Sequence, residues 1–244
     1  MSTLQAQLPS WSQIGTAAEQ LAMLCDRSVR QRLTHELEVT GSDGHQGIPI
    51  DWSSVVISGV AEAARYSQLV GMDLAAAAAR LRTAPATLCF DLLVATGLAA
   101  SCIIHVGIEE HVRALMTHPR HTVGSDGILV GDRPHPRAWG TFPRILGHYV
   151  RQKQVLDLSE AVRHMSSSAA DRLGAIDRGR IVRGAAADLV VFDPQQINDR
   201  ATYDEPRLAP VGVHHVLVNG AFAVREAVVT GVRAGRVLRK ATDQ

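Results

Sequence analysis

The sequence has almost no net charge and no long apolar run. Its 25 Lys and Arg residues nearly balance its 24 Asp and Glu residues, which leaves a formal net charge of +1. A chain with this balance has no electrostatic reason to bind nucleic acid or an anionic membrane surface. The longest apolar stretches, residues 75–79 and 92–100, are too short or too interrupted to span a bilayer. We therefore expect neither nucleic acid nor a membrane as a partner.

Cysteines are scarce, and the first residues lack the features of a secretory signal. Cys25, Cys89 and Cys102 are odd in number and widely spaced, which is typical of reduced thiols rather than of a disulfide framework. The first five residues have no basic start and no apolar core. These two features predict a cytoplasmic protein.

The eleven histidines include no His-x-His pair. His118 and His121 are three positions apart, but Pro119 lies between them and disfavours the helix on which that spacing would be useful to a metal. We expect His118 to lie at a helix C-terminus. His214 and His215 are neighbours on a predicted strand and so point to opposite faces. We predict that the remaining histidines form no constellation and lie mostly on the surface or in loops.

The apolar periodicity predicts helices in the first hundred residues, a strand, helix, strand order up to residue 124, and mostly strands beyond residue 179. The predicted helices are two within 16–37, then 74–81, 88–95, 109–116, 143 to about 150, and 158–165. The predicted strands are 55–57, 102–106, 121–124, 188–193, 214–218 and 221–224. Asn219-Gly220 predicts a tight hairpin. The order from 101 to 124 is typical of the last units of a parallel α/β barrel.

Asp126 stands where the predicted strand 121–124 gives way to a Gly-containing turn and a long polar loop. A carboxylate in this position can be held rigidly by the strand while it faces open space, which suits a general base. A Ser-Asp-Gly sequence by itself is more often an ordinary Asx turn. The residues alone leave both interpretations open.

The chain from Gly124 onward carries a long, collinear set of motifs. They are GSDG ending at Gly127, HPRAWGTFPRILGHYVR at 135–151, ADLVVFDP at 187–194, VNG at 218–220 and TGVRAGRVL at 230–238, with LPSW at 8–11 near the start. This set resembles the D-aminoacylases, the N-acyl-D-amino-acid deacylases of the amidohydrolase superfamily. The ADLVVFDP signature is shared with related cyclic-amide hydrolases of the dihydroorotase or hydantoinase type, whereas the HPRAWGTFPR loop favours the deacylases.

The resemblance implies an α/β fold: a partial metal-dependent-hydrolase (β/α)₈ barrel, with its last strands and a helical lid, plus part of a small β-sandwich domain. We expect residues 1–178 to form the barrel part and residues 179–244 the sandwich part. Because a complete barrel takes about 250 residues, at most half of one precedes Asp126. The chain is therefore expected to be the C-terminal portion of such an enzyme, truncated or encoded separately from the rest.

The resemblance also implies the site. Asp126 is expected to bind zinc and to act as the general base in hydrolysis of an N-acyl-D-amino acid. Ser125, His135 and Arg137 are candidate substrate-binding residues: His135 and Arg137 either orient a substrate carboxylate or hydrogen-bond Asp126. The competing interpretation is that the Pro134-to-Arg137 run only pins the loop over Trp139.

Several features depart from the family pattern. The chain lacks the His-x-His pair and the Glu-Gly-Gly run that commonly follows the LPxW segment. Zinc sites need three or four protein ligands, so we expect no tight metal site in this chain by itself and no activity without the missing N-terminal half. The alternative is a catalytically silent fragment or subunit that associates with a separate N-terminal chain or with itself.

Overall fold

Short helices with well-placed capping residues form most of the first hundred residues. The structure is a computed structural model that describes residues 2–238. It divides into two units: the first comprises the chain up to Val106, Ile128–His135 and Tyr203–Pro206, and the second comprises Gly107–Gly127, Pro136–Thr202 and the chain from Arg207. The division expected after residue 178 falls inside the second unit.

The first unit packs helices against a small antiparallel sheet. In chain order its elements are β1 (Ser2–Thr3), α1 (Ala17–Cys25), α2 (Arg27–His35), β2 (Val55–Gly59), α3 (Leu74–Leu81), α4 (Pro85–Ala95) and β3 (Ser101–Ile104). Asp26 separates α1 from α2 because its carboxylate accepts hydrogen bonds from the Ser28 and Val29 amides at the start of α2. Asp73 starts α3 in the same way, through the Ala76 amide. These caps confirm the predicted break and the predicted start of α3.

The sheet of the first unit has the order β1-β3-β2, with Ile57 of β2 opposite Cys102 of β3. Its inner face meets the leucine-rich faces of the helices, where Leu33, Phe90 and Leu93 are almost fully buried. Helix α4 begins at Pro85, three residues before the predicted start. A proline is well suited to the first helical position because its missing N–H would have no partner there.

The second unit begins with helices and ends with a meander of strands. Its elements are α5 (Glu109–Met116), α6 (Arg137–Arg144), a π-helical continuation (Ile145–Gln152), α7 (Leu158–Met165), α8 (Ser167–Leu173), β4 (Leu189–Phe192), β5 (Val213–Val218), β6 (Ala221–Arg225) and β7 (Val228–Val229). The strands pair antiparallel in that order. Asn219 and Gly220 both have positive φ, 48° and 82°, so the predicted hairpin is confirmed with the geometry of a type I′ turn. Helix α8 was not predicted, and α6 begins before Pro143 rather than after it.

Two predictions on strands are corrected. Residues 121–124 form no strand: their backbone links are His121 N–H to His118 O and Val123 N–H to His164 O. A strand exists only when a second strand completes its ladder, and none lies beside this stretch. The predicted strand, helix, strand order of residues 101–124 also gives no parallel strand pair. Every strand pair in residues 2–238 is antiparallel, and β3 pairs with β1 and β2. Within those residues, no helix is long and apolar enough to cross a membrane.

Candidate active site

Asp126 lies in the second unit, on the irregular segment between α5 and α6, with its backbone in the left-handed region. Its φ is 44°. This conformation is unfavourable for L-residues by about 1–2 kcal/mol, although Asp and Asn tolerate it better than most. The side chain is 78% exposed. Asn219 in the hairpin has a similar φ of 48°, so this conformation is compatible with an ordinary turn as well as with a functional position.

Arg137 holds Asp126 at two points. Its Nη2 lies 2.6 Å from Oδ2 of the Asp126 carboxylate, and its Nε donates to the Asp126 backbone carbonyl at 2.8 Å. Arg137 is the first residue of α6, so its own backbone is fixed by the helix. Of the two contacts expected for Arg137, to a substrate carboxylate or to Asp126, the structure contains the second.

Ser125 and Gly127 complete the turn around Asp126. The Ser125 hydroxyl accepts a hydrogen bond from the Gly127 amide at 3.3 Å. A Cβ placed on Gly127 would lie 3.0 Å from Cα of Ala138 in α6, so a side chain larger than hydrogen would crowd the helix. The structure thus brings three predicted features together: Ser125, Asp126 and Arg137.

His135 belongs to the first unit, where it contacts Tyr203. Its Nε2 is 3.4 Å from the Tyr203 hydroxyl, and the two rings meet edge to face with centroids 5.3 Å apart. His105 packs on the same tyrosine with centroids 4.8 Å apart. In the second unit, Trp139 lies in the first turn of α6, and the Arg207 guanidinium is 5.9 Å from its ring centre.

Sequence reasoning missed a histidine cluster in the second unit. His164 is completely buried in α7, and its Nδ1 lies 3.1 Å from Nδ1 of His121. Nε2 of His164 lies 2.9 Å from Oε1 of Glu160. The prediction that the remaining histidines form no constellation and lie mostly on the surface or in loops is therefore wrong for His164, which is buried in a helix and faces His121. The sequence of α7 could have revealed it. Glu160 and His164 are four residues apart and are therefore neighbours on the helix surface, and His164 lies three residues after the buried Ala161, on the same face of the helix.

Glu160 contacts Arg163 as well as His164 in this cluster. Arg163 donates from Nε to Oε2 at 2.8 Å and from Nη2 to Oε1 at 2.5 Å. These hydrogen bonds lower the pKa of Glu160 to about 2, with His164 making a smaller contribution in the same direction. Burial lowers the pKa of His121, and the facing charge of His164 lowers it further.

Comparison with known proteins agrees with the motifs around Asp126. The profile of the amidohydrolase family matches residues 66–224. The chain belongs to this family. Two curated relatives from Alcaligenes xylosoxydans xylosoxydans place it with the D-aminoacylases: an N-acyl-D-glutamate deacylase is 43% identical over 153 residues, and an N-acyl-D-aspartate deacylase is 35% identical over 211 residues.

Solved structures give the same assignment. A D-aminoacylase crystal structure superposes with a TM-score of 0.67 at 37% identity, covering 75% of this chain and 37% of the other. The N-acyl-D-glutamate deacylase of Bordetella bronchiseptica, solved with zinc and a phosphonate mimic of the tetrahedral intermediate, gives a TM-score of 0.64 at 40% identity, covering 70% and 34%. The two curated matches cover 62% and 86% of this chain but only 31% and 37% of the relatives. The chain thus spans about a third of the length of the amidohydrolases it matches.

The zinc of the Bordetella bronchiseptica neighbour does not fit the residues around Asp126 in this structure. Among residues 2–238, no group of three or more His, Cys, Asp or Glu side chains converges as a metal site would require. The Asp126 carboxylate lies instead against the Arg137 guanidinium. A cation on that carboxylate would have to compete with a guanidinium 2.6 Å away.

Proposed function

We propose that this chain supplies the general base, Asp126, to the hydrolysis of an N-acyl-D-amino acid. The proposal depends mainly on one observation. The exposed carboxylate of Asp126, in the GSDG motif, has an unfavourable backbone conformation and is held by Arg137 of the HPRAWG motif. A base needs a carboxylate that is accessible, ionised and fixed in direction. Arg137 provides the fixed direction because it bonds both the side chain and the backbone of Asp126.

The chemical step assigned to Asp126 is a proton transfer in two directions. Asp126 takes a proton from water as the water oxygen adds to the acyl carbonyl carbon and forms a tetrahedral intermediate. The C–N bond then breaks, and the same proton passes from Asp126 to the leaving nitrogen. The products are a carboxylate and a free D-amino acid.

Substrate recognition is assigned to Ser125, His135 and Arg137. A guanidinium is suited to the carboxylate of an amino acid because it presents paired N–H donors. Arg137 already uses two of its donor nitrogens on Asp126, so in the bound state it would be shared between Asp126 and the substrate. We also propose that the chain corresponds to the last part of the amidohydrolase barrel and to part of the β-sandwich.

On this proposal, the other metal ligands belong to a part of the enzyme outside residues 2–238 of this chain. The deacylase neighbour from Bordetella bronchiseptica binds zinc, and a D-aminoacylase neighbour has a binuclear metal centre. This chain contributes Asp126, but within residues 2–238 no three His, Cys, Asp or Glu side chains converge as metal ligands. We therefore expect the chain to be inactive by itself.

The test is hydrolysis of N-acetyl-D-glutamate and N-acetyl-L-glutamate by complementation. The chain would be mixed or co-expressed with a copy of the Alcaligenes N-acyl-D-glutamate deacylase from which the region matched by this chain has been deleted. The expected result is zinc-dependent release of glutamate from the D-substrate by the pair and not by either part. A pair that associates without hydrolysing either enantiomer would contradict the proposal.

A second candidate function is a catalytically silent fragment that associates with another chain or with itself. Two observations favour it: the Asp126 carboxylate is already paired, and apolar side chains near the end of the helical region are strongly exposed, with Ile176 at 96% and Ile181 at 89%. Size-exclusion chromatography with light scattering discriminates the two functions. An oligomer that stays inactive after complementation would support the silent fragment.

A further inference from the structure

An open cavity of about 460 Å³ lies on the surface of the second unit, and the proposed reaction uses none of the residues that line it. The six lining residues come from the irregular segment after α5 and from α8: Pro119, Arg120, Thr122, Ser168, Asp171 and Arg172. We name this feature the arginine cavity. All of its lining residues except Pro119 are polar or charged, so it is suited to a polar ligand. Its volume lies within the range of about 300–1,000 Å³ that small-molecule sites occupy.

Arg163 of α7 ties the two walls of the arginine cavity together. Its Nη2 donates to the Pro119 carbonyl at 2.9 Å, and its Nη1 donates to the Ser168 hydroxyl oxygen at 2.6 Å. Arg163 is in turn held by Glu160, three residues earlier in α7, through hydrogen bonds of 2.8 Å and 2.5 Å. Both walls are therefore attached to one side chain that is itself fixed in direction.

The two arginines of the arginine cavity carry charge that the protein does not compensate. Among residues 2–238, no carboxylate forms an ion pair with Arg120 or with Arg172. The carboxylate of Asp171 is already occupied, because its two oxygens accept from Nη1 and Nη2 of Arg180 at 2.8 Å and 2.7 Å. These hydrogen bonds lower the pKa of Asp171, so this pair stays formed near neutral pH. Two guanidiniums at one cavity repel each other, and an anion between them removes that repulsion.

Two hydroxyl groups add neutral donors to the arginine cavity. The Ser168 oxygen accepts its hydrogen bond from Arg163, so its own O–H proton remains available to a ligand. The second hydroxyl belongs to Thr122, which is exposed. Guanidiniums and hydroxyls around one cavity are groups that hydrogen-bond the oxygens of an anion.

A phosphate group matches these donors better than a carboxylate does. A phosphate monoester carries a charge of about −1.5 to −2 near neutral pH on three acceptor oxygens. A carboxylate carries a single charge on two oxygens and would leave one of the two guanidiniums uncompensated. A phosphate group also fills only part of a cavity of this volume, so the remaining space is available to a polar group attached to the phosphate.

We propose that the arginine cavity binds the phosphate group of a small, polar phosphate ester. Arg120 and Arg172 are its cationic ligands, and Thr122 and Ser168 are its hydroxyl donors. Asp171 is a wall of the cavity and not a ligand, because both of its oxygens are held by Arg180. The proposal is independent of the proposed function and can be measured on the chain by itself.

The experiment is an NMR titration of the full chain with inorganic phosphate, ribose 5-phosphate or ribose at pH 7.5. Each is added up to about 20 mM at constant ionic strength, because screening changes the attraction between exposed charges. The amide signals of Thr122 and Ser168 should shift to saturation with both phosphates and should not shift with ribose. Ribose 5-phosphate should bind at least about threefold more tightly than inorganic phosphate, because its sugar makes further contacts in the cavity.

Arg120→Gln and Arg172→Gln should each weaken phosphate binding about three- to fivefold, and the double variant by about tenfold or more, as expected for exposed ion pairs. Arg183→Gln is the matched control, since Arg183 is an exposed arginine of the same unit outside the cavity lining. It should bind phosphate as the wild type does, and the Gly184 amide beside it should show no saturable shift.

Three results would overturn the phosphate site. They are shifts that rise without saturation at Thr122 and Ser168, unchanged affinity in the double variant, and an equal loss of affinity in Arg183→Gln. Equal affinities for inorganic phosphate and ribose 5-phosphate would overturn the assignment to an ester.

Discussion

Substitution of Asp126 separates the energy of its ion pair from that of its backbone. The pair with Arg137 is exposed at 78% on the carboxylate side, so it is expected to contribute about 0.2–1 kcal/mol. The left-handed backbone is worse for alanine than for glycine by about 1–2 kcal/mol. Asp126→Asn should therefore destabilise by less than about 1 kcal/mol, and Asp126→Ala by about 0.5–2 kcal/mol, because aspartate already bears part of the backbone cost that alanine bears in full. Asp126→Gly should lie near the wild type, because relief of the backbone offsets the lost pair.

The assay is urea unfolding at pH 7 followed by far-UV circular dichroism. With a slope of about 2 kcal/mol per M, a loss of 1 kcal/mol lowers the midpoint by about 0.5 M. Asp171→Asn is the matched control, because Asp171 forms a comparable exposed pair with Arg180 at 2.7 Å. Equal losses for Asp126→Asn and Asp126→Ala would refute the reasoning, since the ion pair rather than the backbone would then dominate. A loss above about 2 kcal/mol for Asp126→Asn would make the residue structural.

Three further predictions concern the core, a close backbone approach and pH. Phe90→Ala should destabilise by about 3–5 kcal/mol in urea unfolding, because Phe90 is only 1% exposed; a loss under about 1 kcal/mol would contradict the packing. Gly212→Ala should prevent soluble expression or lower the thermal midpoint, since a Cβ there would lie 2.4 Å from Ile197 N and φ is 78°; an unchanged midpoint would contradict the geometry. The lowered pKa of Glu160 means that its stabilising contribution is complete above pH 4.5 and disappears as pH falls toward 2. Glu160→Gln should flatten stability against pH in that window, and an unchanged slope would argue against the assigned charge.

Features that depend on a few neighbouring residues could be predicted from the sequence. The start of α3 follows from Asp73, the break between α1 and α2 from Asp26, and the hairpin from Asn219-Gly220, because each is a contact between residues at most three apart. The family assignment also follows from contiguous motifs.

Features that need a distant partner could not be predicted in the same way. The apolar spacing at 121–124 is suitable for a strand, but a strand requires a second strand beside it, and this stretch has none. The contact between His121 and His164 joins residues 43 apart in the chain, so neither histidine reveals its partner locally. Arg137 is intermediate: it is eleven residues from Asp126, and the sequence predicted a contact to Asp126 only as one of two alternatives.

The most direct measurement is kcat/KM for N-acetyl-D-glutamate with the complemented protein carrying wild-type chain, Asp126→Asn or Asp171→Asn. Loss of a general base lowers the rate by about 10²–10⁴-fold. We predict a loss in that range for Asp126→Asn and activity within about twofold of the wild type for Asp171→Asn, whose surface pair contributes little. Activity of Asp126→Asn within a few-fold of the wild type would show that the proton is taken by another group.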